Sequence, residues 1–249
     1  VPQFSRKNAT VAGATLSVKA VVDTHARSYA VRCVDWGRLA YEEALVRQRE
    51  LVRSRLAGSA VDTIVCVEHP PTITLGRHAP ATDVLLDHDE LSARGISLVR
   101  TDRGGRATYH GPGQAVIYPV VELEPLGLGV KGWVCLLESI LIETLSAYGI
   151  AGQREAGRPG IYVGPAKVAS VGLRVVRGIS YHGVSINVAP DVSGFETIVT
   201  CGVGGQRVTS LALLGASGAS REEVSRRFSG RLAAALEAAA ARTSPGSCR

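Results

Sequence analysis

Apolar and polar positions along the chain change period several times, and each change marks an element. Tyr29 to Val34 alternates like a strand. From Trp36 to Leu56, apolar Leu39, Ala40, Ala44, Leu45 and Leu51 recur near a period of 3.6 with Glu and Arg between them, which predicts a helix. Thr63 to Val67 reads as a buried strand stopped by Pro70-Pro71, and Thr72 to Leu75 as a second one. Asp87 caps a short helix through Arg94 that Gly95 ends, and Ile96 to Thr101 is a strand. A glycine-rich loop, Arg103 to Gln114, leads into an apolar strand from Ala115 to Val121. Gly132 to Tyr148 is a helix closed by Gly149. Gly160 to Val163, Val168 to Val175 and Ser180 to Val188 are strands. Ser220, with Glu222 and Glu223 behind it, opens a helix running to about Arg242.

Strands and helices are mixed without strict βα alternation, which favours an α/β chain of the α+β kind over a doubly wound sheet. Residues 29–242 form the predicted catalytic domain; residues 1–28 read as a loose extension and 243–249 as a disordered tail. With 249 residues and 45% hydrophobic content the chain can bury a sizeable core. No apolar run reaches the roughly 18 residues of a membrane span, and no signal-peptide pattern is visible.

Five cysteines, at 33, 66, 135, 201 and 248, show no paired spacing, so a reducing, cytoplasmic compartment is expected and neither a disulfide framework nor a metal site is. Cys33, Cys66 and Cys135 lie in apolar runs and are expected to be buried, inert thiols. The net charge of +6 is dispersed and aromatics make up 5%, so no nucleic-acid platform stands out. An acidic protein partner and a plain basic surface both fit that charge.

Candidate chemistry gathers in small-residue, glycine-bearing segments. Arg103, Thr108 and His110 place polar handles beside Gly104, Gly105, Gly111 and Gly113. Neither a GxxxxGK[ST] pattern nor a GxGxxG opening a helix is present, so nucleotide binding has little support. His182-Gly183 interrupts a strand, and His182 reads either as structural or as ligand-contacting. His69, before the prolines, reads either as ordering its turn or as ligand-contacting, while His78 and His88 look like surface residues. Lys167 in Gly-Pro-Ala-Lys and Cys201 in Thr-Cys-Gly-Val-Gly-Gly are the two groups that could run acyl transfer through a thioester.

The stretch Arg103-Gly104-Gly105-x-x-Thr108-Tyr109-His110-Gly111-Pro112-Gly113-Gln114 resembles the most distinctive motif of the lipoyl(octanoyl) transferase family. Lys167 with Ser170-Val171-Gly172, His182-Gly183 with Asn187, and Cys201-Gly202 are similar to its later motifs. The resemblance implies a single mixed-sheet domain related to biotin and lipoate protein ligases. It implies octanoyl transfer from acyl carrier protein to a lysine of lipoyl domains, those of 2-oxoacid dehydrogenases and the glycine cleavage H protein. This would be the first step of endogenous protein lipoylation. Cys201 would be the nucleophile and Lys167 the proton carrier. The substrate would be lined by Arg103, Gly104, Gly105, Arg106, Ala107, Thr108, Tyr109 and His110, by Ser170, Val171 and Gly172, and by Gly183, Val184 and Ser185. No cofactor is implied beyond the carrier's acyl-phosphopantetheine thioester, and a monomer is expected.

Oxyanion donors could come from backbone N–H groups near Cys201 or Gly172, or from the His110 side chain. Arg103 could position the carrier's phosphopantetheine or the loop itself. The chain departs from the family at Thr200, where proline is usual, and at Arg106 and Ala107, where Gln and Val are common. Two rival readings are an ATP-using lipoate or biotin ligase and a non-catalytic binder of acyl carrier or lipoyl domains.

Overall fold

The computed structural model describes residues 29–199 and 206–243. The expected N-terminal extension, Thr200, Cys201 and residues 244–249 lie outside the described residues.

A large sheet has the order β1-β2-β6-β10-β9-β8-β7. Its strands are β1 (Val31–Arg38), β2 (Asp62–Glu68), β6 (Gln114–Glu122), β7 (Gln153–Glu155), β8 (Arg158–Val163), β9 (Ala166–Val176) and β10 (Ile179–Asn187). β1 and β2 run parallel and the remaining neighbours are antiparallel. A small sheet of order β4-β3-β5 is made by β3 (Thr72–Leu75), β4 (Ser97–Arg100) and β5 (Ala107–His110). The helices are α1 (Tyr41–Leu56), α2 (His88–Ala93), α3 (Val130–Ser146) and α4 (Arg221–Thr243).

Both faces of the large sheet are covered, so its central strands are apolar at every position rather than at alternate ones. On β2, Ile64 and Cys66 join the core under α3 and α4, while Val65 and Val67 join the core under α1. β6 divides likewise, with Ala115, Ile117 and Val121 on one side and Val116, Tyr118 and Val120 on the other. The small sheet has its own core, built around Ile73, Leu75, Leu91, Tyr109 and Phe195. The α+β expectation holds.

Several boundaries differ from those expected. The first helix begins at Tyr41, because Trp36 to Arg38 remain in β1. Gly37 takes φ +65°, its N–H is held by Asp35 (2.7 Å), and the register with β2 shifts there, which carries the strand round a bulge. The loop from Arg103 to Gln114 contains a strand, β5, because Tyr109 buries its ring against Phe195 and the backbone pairs with β3. β7 carries no apolar signal, being exposed at each position, and the sequence reading misses it. Cys66 is buried, but Cys33 and Cys135 are exposed. Cys33 lies on an edge strand and Cys135 on the outer side of α3, so an apolar run did not guarantee an inward side chain.

Candidate active site

The site forms where the large sheet opens. β10 pairs with β6 at Ser180↔Val121 and again from Val184↔Ile117 onward. The same register sets His182 opposite Pro119, which has no N–H to give. His182 takes a left-handed backbone (φ 56°), and its N–H turns to Gln48 Oε1 on α1 (2.9 Å). Gly183 follows, and a Cβ there would collide with the Ile117 carbonyl oxygen. The histidine and glycine thus trade a ladder bond for a bend at the centre of the sheet.

The bend throws the His182 ring to the α1 side. Its Nε2 lies 2.8 Å from Asp102 Oδ1, and it stacks on Tyr181 at 4.7 Å. Tyr181 also donates to Asp102 Oδ2 (2.6 Å), and Arg49 and Arg174 stand 3.5 and 3.4 Å from that oxygen. The His182 bond, with Tyr181 and the arginine charge behind it, holds the Asp102 carboxyl well below the usual carboxylate range. Burial pushes His182 down, and since the ionised carboxylate only accepts, it is the Nε2–H of His182 that is given to Asp102.

A second chain of bonds fixes His110. The Thr209 carbonyl accepts from Asn187 Nδ2 (3.0 Å), Asn187 Oδ1 accepts from Gln114 Nε2 (2.9 Å), and Gln114 Oε1 lies 2.7 Å from His110 Nδ1. A carbonyl only accepts, so each amide orientation follows and His110 carries its proton on Nδ1. Burial, with His69 nearby, pushes His110 down to about 3. Its remaining ring nitrogen bears a lone pair, which removes the His110 side chain as an oxyanion donor. His69 is set in the same way between the Leu39 carbonyl (2.7 Å) and the Tyr118 hydroxyl (2.8 Å), and burial pushes it down to about 4.

Arg103 holds the loop. It donates to Thr74 Oγ1 from Nε and Nη2 (3.1 and 2.8 Å) and to the Thr74 carbonyl from Nη2 (2.7 Å). Gly104 N–H then ties the loop to the Leu173 carbonyl of β9 (2.9 Å). Arg106 pairs with the buried carboxylate of Asp83 (2.9 Å from Nε).

Lys167 is buried, with 6% of its surface exposed. Its Nζ donates to the Pro159 carbonyl (3.1 Å) and stands 5.1 Å from the centre of the Tyr162 ring. Its main chain is clasped by the Arg207 carbonyl and the Thr209 N–H, both at 2.9 Å. These bonds bring the chain that follows Cys201, from residue 206 on, alongside Lys167.

A cavity of about 270 Å³ lies between these groups. Lys167, Arg103 to Thr108, His110, Ser170 to Gly172 and Gly183 to Ser185 all face it. Tyr109 does not, because strand alternation turns its ring into the core of the small sheet. Cys201 lies outside the described residues, but Val199, two residues before it, donates to the Asp83 carbonyl (2.8 Å), and Gln206, five after it, lines the cavity. The sequence reading missed Tyr41, Tyr118, Val134, Pro159 and Phe195, which also line the wall, as do Val116, Leu173 and Val208. Their only local signal is apolar or aromatic character, shared with every core residue. Among the described residues no cluster of His, Cys, Asp or Glu could hold a metal, and no helix is long and apolar enough to cross a membrane.

A buried lysine thus stands on the wall of a cavity framed by glycine-bearing strands, a setting that can receive an acyl chain. Residues 40–233 match the lipoyl protein ligase A/B catalytic domain, and the chain belongs to that family. An octanoyltransferase from Alkaliphilus metalliredigens is 45% identical over 179 residues, spanning 72% of this chain and 82% of that protein. One from Magnetococcus marinus is 44% identical over 189 residues, spanning 76% and 85%. In fold the chain is similar to lipoate-protein ligase A bound with ATP, with a TM-score of 0.71 at 17% identity over 82% of this chain and 85% of that one. A bipartite lipoate protein ligase from Thermoplasma acidophilum gives 0.61 at 15% identity over 82% and 83%.

Proposed function

We propose that this acyltransferase moves an octanoyl group from acyl carrier protein to a lysine of a lipoyl domain, through a thioester on Cys201. The observation that carries the reading is Lys167, buried on the wall of a cavity lined in part by the chain that flanks Cys201.

A free thiol has a pKa of about 8.5, so only a few per cent is thiolate near neutrality. An ammonium beside it favours the charged form. The Cys201 thiolate attacks the octanoyl carbonyl, the bond from that carbon to the carrier sulfur breaks, and the carrier thiol leaves with a proton from Lys167. The incoming lysine arrives as an ammonium, and Lys167, having given up its proton, removes one from it. The amine attacks the thioester, the bond from the acyl carbon to the Cys201 sulfur breaks to free the thiolate, and the attacking nitrogen releases its second proton to solvent as the amide forms. Backbone N–H groups near Cys201 or Gly172 take the oxyanion, since the one N–H of His110 is already given to Gln114.

The acyl tail fits the apolar wall of Val116, Val134, Val171, Leu173, Val184 and Phe195. Each buried CH₂ contributes about 0.8 kcal/mol, so several methylenes against this wall add several kcal/mol and set chain-length preference. The net charge of +6 suits steering of an acidic carrier. The reading needs no metal or organic cofactor and has the enzyme act as a monomer in the cytoplasm.

Intact-protein mass spectrometry after mixing with octanoyl-acyl carrier protein, without ATP, tests it. A hydroxylamine-labile octanoyl adduct on Cys201, lost in Cys201→Ala, is expected. No adduct on folded, reduced protein, with ATP-dependent lipoylation in its place, would give the ligase reading instead.

A further inference from the structure

We propose that Glu138 is the positioning residue of Lys167 and acts through the single peptide unit that joins Pro159 to Gly160. The inference rests on the reading of Lys167 as proton carrier.

Glu138 is an acidic residue on the buried side of α3, in a row with Trp133, Leu137 and Leu141. Its Oε1 accepts from the Gly160 N–H (3.0 Å). The carbonyl of that same peptide, Pro159 C=O, accepts from Lys167 Nζ (3.1 Å). Carboxylate, peptide and ammonium therefore stand in one line of bonds. The carboxylate is itself held: Arg154 Nε donates to Oε2 (3.1 Å), while Arg154 Nη2 is anchored on the Cys135 carbonyl (2.9 Å) and Ser139 Oγ (2.7 Å).

The backbone is bent to serve this line. Gly160 takes φ +123°, which L side chains rarely adopt, and a Cβ there would collide with the Ala169 carbonyl oxygen. The β8–β9 register slips between Ile161 and Tyr162, immediately before Tyr162 pairs with Lys167. An ordinary strand N–H would bond to a neighbouring strand, whereas this one reaches a helix carboxylate.

A peptide is conjugated, so an anion accepting at its N–H raises electron density on its carbonyl oxygen. Bonds in such chains strengthen one another by perhaps 10–30% each in condensed-phase estimates. Glu138 thus fixes the direction of the Pro159 carbonyl and makes it a better acceptor for an ammonium. A purely structural role, in which the carboxylate only satisfies a buried N–H, predicts no link to Lys167.

Single-turnover acylation by octanoyl-acyl carrier protein, and transfer from the acyl-enzyme to a lipoyl domain, would be followed across pH. The proteins are the full chain, Glu138→Gln, Lys167→Ala and the double variant. Gln is isosteric with Glu and keeps the acceptor oxygen but loses the charge. Both rate constants of Glu138→Gln should fall about tenfold, the scale of a weakened charge-assisted bond. Carrier affinity should be unchanged, and the acylation midpoint should move to higher pH. The double variant should be no slower than Lys167→Ala alone. Unchanged rates in Glu138→Gln, or losses that multiply in the double variant, would overturn the inference while leaving Lys167 in place. A Lys167→Ala enzyme with normal half-reactions would instead remove the reading beneath it, and the inference with it. Should Glu138→Gln not fold, Arg154→Gln leaves the carboxylate but frees it, and is expected to slow both steps in the same direction by less; normal rates there overturn the inference too.

Discussion

His182 and Arg177 are the non-glycine residues with left-handed backbones among those described, and they sit five positions apart along one hairpin. Arg177, with Gly178 (φ 84°), makes the two-residue turn between β9 and β10, where positive φ at both positions matches the twist of the strands. His182 lies mid-strand and buried, where nothing in sheet geometry asks for it. Its conformation is held from outside the strand, by Gln48 on the N–H and Asp102 on the ring. The same backbone state is thus a generic solution at the turn and a strained, over-determined feature at the site. Left-handed backbone alone does not mark function; the partners that hold it do.

Acid breaks the comparison most strongly. His69 and His110 are kept neutral by burial, with values of about 4 and about 3, and His182 is pushed the same way. Their folded values lie below the unfolded value of about 6.5, so the stability tied to their neutrality is fully present above that pH. It is lost as pH falls from there toward the folded values. Each histidine that charges only on unfolding contributes about 1.4 kcal/mol per pH unit, so two alone give about 3 kcal/mol per unit between roughly pH 6 and 4.5. Urea unfolding at several pH values in that window should show this slope, and His110→Gln should reduce it by about a third to a half. A flat profile would mean the histidines are not held neutral.

Next in size is His182→Asn. Asparagine tolerates the left-handed backbone but cannot reach Asp102 or stack on Tyr181. Losing a charge-assisted bond and a buried ring should cost about 2–4 kcal/mol of unfolding free energy. A loss under about 0.5 kcal/mol would show that the backbone state alone matters at this position.

Much of this site was legible in the sequence because its parts are local. The glycine-bearing segments at Arg103, Ser170 and His182 mark where backbone approaches the cavity, and the His182-Gly183 interruption of an otherwise apolar strand coincides with the opening of the sheet. Tyr109 could have been set aside on the same evidence, since alternation along Thr108, Tyr109 and His110 sends its ring the other way. What was not legible is pairing across the chain. Asp102 stands beside Arg103 in the loop, but its partner is 80 positions away. Gln48 looked like any polar residue between helical apolar positions, and its role depends on a strand 134 positions on. Glu138 carried a faint signal, an acid inside the apolar row of α3, which only the position of β8 turns into a function. Cys135 shows the reverse error, an apolar neighbourhood with an exposed side chain.

Arg177→Asn gives the smallest expected effect and sharpens the comparison from the other side. Asn-Gly is the favoured pair for this turn, because asparagine populates positive φ more readily than arginine. Among the described residues Arg177 has no side-chain hydrogen bond or ion pair for the substitution to remove, and it stands at the turn, away from the cavity lining at Ser170 to Leu173 and His182 to Ser185. Unfolding free energy should rise by roughly 0.5–1 kcal/mol, read as a higher urea midpoint at unchanged slope. The pH dependence should stay as in the parent, because the buried histidines are untouched. A gain at Arg177 beside a loss at His182, for the same residue placed in the same backbone state, would establish that the turn needs only the conformation while the strand needs the side chain that conformation presents.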